Sequence, residues 1–239
     1  GSEMCIRDSN STTYMSFFSQ MDTYGDGYAG IGVWRAAFKP LVDRIADTDI
    51  RLQWFCCDRS TGVTDASGNR ITLIRDTQSP VAVEYQAVKF IGTGRDNIKA
   101  GVFSGWELGD YIYLRSEEAY MIKMEALAHK GSAEAVTELN SFMKTRQPDY
   151  NYTFTNKADL IEEIIYQKRV EFWGEGLEYI DNRRLNIPVD RTDETWGAEN
   201  NNHFSAGKFR YNQEDRPFLY QLPLSEIENN SQLSPSDQN

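Results

Sequence analysis

The 239-residue chain holds two histidines and three cysteines, and it contains no apolar run near the roughly eighteen residues that a membrane-spanning helix requires. Only His129 and His203 could serve as imidazole ligands, and no cysteine spacing of the zinc type exists, so neither a metal nor a cofactor is expected. Cys56 and Cys57 are adjacent, which would strain a bridge between them; the cysteines read as small buried apolar residues. Basic residues are also scarce. Against 36 Asp and Glu stand 25 Lys and Arg, a net charge of -11 that excludes a nucleic-acid partner or an anionic lipid surface, both of which need cationic patches. A neutral ligand remains compatible. The glycine-rich stretch YGDGYAGIG (Tyr24–Gly32) follows no strand, lacks the third glycine of a dinucleotide fingerprint and has no Lys-Ser/Thr, so it reads as a loop rather than a phosphate cradle.

What is present is helical periodicity, strongest from Asp159 to Leu185. Ile161, Ile165 and Phe172 form one stripe and Tyr166, Val170 and Trp173 the next, at the three- and four-residue steps of a helix wedged between neighbours. Asn156 is placed to cap its start, Asp159 suits the dipole in the first turn, and Gly174 or Gly176 supplies a left-handed stop. Beyond that stop Asp181, Arg183 and Arg184 are placed to pair with Lys168, Arg169, Glu171 and Glu175, or to cap nearby backbone. A second periodic region, Tyr113 to Arg146, breaks at Gly131. Tyr113, Tyr120 and Leu127, with Leu114, Met121, Met124 and Ala128, predict one broad apolar face; Ser132 is placed to cap a second helix bearing Val136, Leu139 and Met143. This pair has about the length of one tetratricopeptide repeat and cannot bury its own faces.

Three stretches in order resemble the SusD/RagB family: YLRSEEAYMIKMEALAHKG (Tyr113–Gly131), QKRVEFWGEGLEYIDNRRLN (Gln167–Asn186) and LYQLPLSEIENN (Leu219–Asn230). The likeness covers roughly Lys89 to Asn230, and Asp49-x-Arg51 resembles a further family feature. On this resemblance residues 13–239 are expected to form the C-terminal domain of a longer protein. The resemblance implies a cell-surface, lipid-anchored protein of the bacterial outer membrane, its anchor in an N-terminal part absent from this chain. It further implies capture of oligosaccharides or other nutrients, as in polysaccharide utilisation of the Bacteroidetes type, and their delivery to a SusC-like TonB-dependent transporter.

The rest of the chain is organised around these helices. Residues 1–12 lack the order of a signal peptide and read as a cloning or sequencing scar outside the fold. Ala36–Ala46 is amphipathic but interrupted by Pro40; RLQWFCC reads as a short strand, and VAVEYQAVKFI (Val81–Ile91) as another in a small antiparallel sheet. Asn186–Pro217 shows no apolar period and reads as a long loop. The expected fold is therefore mainly α: a tetratricopeptide-like helix pair, further helices, a small antiparallel β element and long loops.

No nucleophile and base constellation emerges. Glu171 and Glu175 lie four apart near a tryptophan, as in a glycosidase pair, yet salt-bridged carboxylates stay ionised and cannot donate a proton. Sugar recognition instead asks for flat aromatic faces in loops, and Tyr28, Trp34 and Trp196 are the candidates. The reading is a binding protein and not an enzyme; a tetratricopeptide-like interaction scaffold and a glycoside hydrolase are the alternatives.

Overall fold

The computed structural model describes residues 3–9, 21, 36–56, 85–87, 89–90, 109–215 and 221–237. The chain divides into two compact units, Gly1–Glu171 and Phe172–Asn239.

In the first unit, strand β1 (Glu3–Ser9) and helix α1 (Lys39–Asp43) precede a 3-10 turn at Ile50–Trp54, followed by the short strands β2 (Phe55–Cys56) and β3 (Gln86–Ala87). Next come β4 (Gly109–Arg115) and the helices α2 (Ser116–His129), α3 (Glu134–Met143) and α4 (Lys157–Glu171). The expected small antiparallel sheet is present: β2 pairs with β3, Phe55 opposite Ala87. Pro40 does not interrupt a helix. It sits in the first turn of α1, where a missing N–H is harmless because no intrahelical partner exists there. Residues 1–12, set aside above, contribute β1, which pairs antiparallel with β4 and satisfies ladder groups that strand would otherwise leave open.

The pairing of β4 also shortens the first helix of the pair. Helix α2 starts at Ser116, so Tyr113 lies in a strand and is 76% exposed, contrary to its expected place on the apolar face. The face that α2 does bury carries Met121, Met124 and Ala128; Tyr120 stands outside it, beside the Phe142 ring at 6.5 Å. Gly131 ends the helix at a φ of +73°, and the Glu134 N–H bonds Ser132 Oγ at 3.3 Å, as expected. Helix α3 buries Ala135, Leu139 and Met143, and α2 packs against both α3 and α4.

Helix α4 follows its predicted ends. Asn156 Oδ1 accepts from the Asp159 N–H at 3.0 Å, and Gly174 and Gly176 both adopt positive φ past the last turn. Leu160, Ile164, Ile165, Tyr166 and Val170 are buried, and Ile165 and Phe172 are each only 5% exposed. Of the two stripes read from the sequence, Ile165, Phe172, Tyr166 and Val170 are buried, while Ile161 and Trp173 are half-buried; Leu160 and Ile164, outside those stripes, are buried as well.

In the second unit α5 (Leu177–Arg184) leads to β5 (Val189–Asp190), α6 (Asp193–Trp196), a 3-10 turn at Ser205–Gly207, β6 (Arg210–Tyr211) and α7 (Leu224–Asn229). Val189 pairs with Tyr211 and Asp190 with Arg210. The region from 186 to 215 thus has structure of its own, which a search for periodicity misses because each of its elements is four residues or shorter.

Candidate functional site

Three polar constellations in the fold have the makings of a site. The first surrounds Glu171 at the end of α4. Arg146 grips the carboxylate with two nitrogens, Nε to Oε2 at 3.3 Å and Nη2 to Oε1 at 3.0 Å; Arg115 Nη1 reaches Oε1 at 3.1 Å and Arg51 Nη1 reaches Oε2 at 3.5 Å. The Glu171 carbonyl accepts from Lys89 Nζ at 2.7 Å and Arg115 Nη2 at 3.0 Å, so cations gather where the helix dipole is negative. Burial alone would raise the Glu171 pKa, but the Arg146 hydrogen bond and charge, with Arg51 and Arg115, hold it below the ordinary carboxylate value. Such a group is ionised at neutral pH and has no proton to donate. The sequence reading found the role but misplaced the partners, assigning lysines and arginines close in sequence; the three arginines found here come from Arg51, Arg115 and Arg146. Arg51 is itself 1% exposed and clamps Asp49, through Nε to Oδ1 at 3.0 Å and Nη2 to Oδ2 at 2.7 Å. The Asp-x-Arg pair is bonded to itself and, through Arg51, to Gln167 and Glu171.

The second constellation lies in the second unit and holds Trp196. Its indole N–H donates to the Asp190 carbonyl at 2.9 Å, while the side chain remains 37% exposed. Asp190 organises this support: its carboxylate accepts from Thr192 Oγ1, Thr195 Oγ1 and Arg210 Nη1, each at 2.7 Å. Asp193 accepts from Lys208 Nζ at 2.7 Å and Asn201 Nδ2 at 2.8 Å, fixing the same turn. An indole anchored by its own N–H at the end of the short helix α6 can present its face for stacking. Phe204, 75% exposed, is a further aromatic that the sequence reading passed over. Asp181, Arg183 and Arg184 take structural roles: Arg184 bonds Asp181 at 2.8 Å and Arg183 Nη1 bonds the Gln213 carbonyl at 2.6 Å. Tyr28 and Trp34 lie outside the described residues.

The Asp190 cluster predicts an acid-sensitive element. Burial would raise its pKa, yet the Thr195 and Thr192 hydrogen bonds and the Arg210 charge bring it down to about 2. The folded value lies below the unfolded one of about 3.9, so the contribution is fully present above about pH 4 and lost as pH falls toward 2. Asp190→Asn is expected to lower the melting temperature at pH 7 and to flatten its pH dependence between 4 and 2. Identical melting curves for the two proteins across that range would refute this.

The third constellation is a cavity of about 400 Å³ in the first unit, between the segment after α1, the segment after α3, and α4. Tyr150, Tyr152 and Tyr166 line it with Arg44, Asn151 and Glu163. Arg44 lies 3.8 Å over the Tyr166 ring and bonds Glu163 Oε2 at 2.5 Å. Tyr150 donates its O–H to Glu163 Oε1 at 2.8 Å; burial, then the Glu163 charge, pushes that phenol above its ordinary value. The Asn140 amide holds Tyr152 on both backbone groups, at 2.7 and 3.0 Å. The sequence reading missed this cavity, because Tyr150 and Tyr152 belong to a segment without period and Tyr166 counted only as core. The tyrosines clustered at 150 and 152 were the one available signal.

Among the described residues no three His, Cys, Asp or Glu side chains converge to hold a metal ion, and no helix is long and apolar enough to cross a membrane. The architecture is that of an α-helical protein built on a helix pair and a buried third helix, carrying aromatic and hydrogen-bonding surfaces. Residues 85–239 match the SusD family, and the chain belongs to it. Among solved structures it is similar to a SusD-like carbohydrate binding protein from Bacteroides vulgatus, with 21% identity and a TM-score of 0.59, covering 91% of this chain and 44% of that one. A SusD-like protein from Bacteroides fragilis is similar at 19% identity and a TM-score of 0.53, covering 97% of this chain and 53% of that one. The chain thus spans about half the length of these relatives. No curated protein matches it.

Proposed function

We propose that this chain serves in the capture of glycans or related nutrients at the bacterial cell surface and in their delivery to a SusC-like TonB-dependent transporter, the protein being held at the outer membrane by a lipid. The observation that carries this reading is the family match over residues 85–239. The structural likeness to a SusD-like carbohydrate binding protein agrees with it. Trp196 supports it further, as an indole braced at the surface by Asp190. The reading is binding without transformation, since Glu171, buried among three arginines, is held ionised. The aromatic side chains proposed to stack on an oligosaccharide are Tyr28, Trp34 and Trp196.

Isothermal calorimetry of the protein against a panel of oligosaccharides, with product analysis of the same mixtures, tests this. Binding of at least one glycan is expected with a dissociation constant on the order of millimolar to micromolar, about 4 to 8 kcal/mol, and without shorter products. Trp196→Ala should weaken it about tenfold, or 1.4 kcal/mol, at an unchanged melting temperature; Tyr28→Ala and Trp34→Ala are expected to act alike. Release of shorter sugars by the wild-type protein, lost in a Glu171→Gln protein that circular dichroism shows to be folded, would turn the reading toward a hydrolase.

A further inference from the structure

The cavity bounded by Arg44, Tyr152 and Glu163 is chemically unspent in a particular way. Its inner charges are already neutralised: Asp49 is clamped by Arg51, and Glu163 takes Arg44, the Tyr150 hydroxyl and Gln167 Nε2 at 2.7 Å. An ionic ligand would find no uncompensated counter-charge in the deep wall. What remains is polar: one buried neutral hydroxyl, an exposed amide and a single carboxylate at the rim. The Tyr152 hydroxyl oxygen is buried without a hydrogen-bond partner, an unfavourable state for a polar group until some partner reaches it. Asn151 sits exposed at the rim and carries both donors and an acceptor, and Asp149, fixed by Thr48 Oγ1 at 2.6 Å on one oxygen, lines the same rim. Ile45, Ala46 and the tyrosine rings supply apolar surface. Mixed donors and acceptors around ring faces, in a cavity of about 400 Å³, fit a neutral polyhydroxylated ring, whose hydroxyls each donate and accept.

We propose that this cavity is a subsite for one neutral pyranose unit, with the Tyr152 hydroxyl, Asn151 and the Asp149 carboxylate on the sugar hydroxyls. The proposal rests on the glycan-binding reading above and places a ligand where no loop tryptophan is needed. Its walls are stiff, because Asp49 and Gln167 belong also to the Arg51 clamp and Asn140 pins the Tyr152 backbone. The subsite is thus formed before the ligand arrives, which lowers the ordering cost of a weak sugar.

The test uses methyl glycosides of glucose, galactose, mannose and N-acetylglucosamine, followed by saturation-transfer NMR and calorimetry on the wild-type chain and on Tyr152→Phe and Asn151→Trp. At least one glycoside should bind. Tyr152→Phe, which removes a single oxygen, should weaken it fivefold or more, and Asn151→Trp should abolish it by filling the rim. Thermal melts report folding for each variant; if Asn151→Trp does not fold, Tyr152→Phe decides alone. Glycoside binding that survives intact in a folded Tyr152→Phe protein overturns the subsite. Binding of oligosaccharides but of no methyl glycoside overturns it too, while leaving the glycan-binding reading in place. Failure of every sugar, long or short, removes both.

Discussion

Replacing Glu171 by Gln is expected to lower the free energy of unfolding by about 3 to 5 kcal/mol, the range found when one partner of a buried ion pair is removed. Glu171 is 1% exposed and is the only carboxylate that Arg51, Arg115 and Arg146 all contact among the described residues. Gln keeps the size and one acceptor but loses the charge, which leaves the fully buried Arg51 with Asp49 as its remaining counter-ion. Urea denaturation followed by far-UV circular dichroism would read the change, and a midpoint equal to that of the wild type would contradict the assignment. The pH dependence has a defined sign. Because the folded pKa is depressed, the stabilisation is present above the unfolded carboxylate value of about 4.3 and is lost only as pH falls through the folded one. Acid denaturation of the first unit should therefore begin below about pH 4.

The second large effect is expected in the core. Ile164 is 0% exposed in the middle of α4, and truncation to Ala deletes three carbons where neighbouring helices can collapse only in part, at about 2 to 5 kcal/mol. Ile165→Ala, at 5% exposure, should fall in the same range. Ile161, only half-buried on the same helix, provides the internal comparison, and Ile161→Ala should cost less than half as much. Equal losses at 161 and 164 in a chemical denaturation series would show that α4 is not buried on the face described here.

Some features needed nothing beyond the sequence. Helix ends are local chemistry: Asn156 and Ser132 sit at caps where a side-chain oxygen meets an early N–H, and Gly131, Gly174 and Gly176 take the left-handed conformation that ends helices, each within reach of its own neighbours. The apolar period of α4 likewise foretold its burial, because i, i+3 and i+4 spacing fixes which residues share a face before any partner is known. The family resemblance was legible for the same reason, its motifs being runs of adjacent residues.

Partnership across the chain was decided only by the tertiary structure. Glu171 could be read as ion-paired, but its partners stand 25, 56 and 120 residues away, and nothing local selects Arg146, Arg115 and Arg51 over nearer cations. Tyr113 followed the helical period, yet backbone pairing of Gly109–Arg115 with Glu3–Ser9 took it into a strand, since ladder bonds to a distant segment outweigh a weak local preference. Trp196 was visible as an aromatic, whereas the bracing of its anchor residue was not, since the Asp190 carboxylate takes Arg210 from the paired strand β6. The cavity is the extreme case: Arg44, Tyr152 and Glu163 come from three segments that share no pattern, and only the packing of those segments makes them one surface.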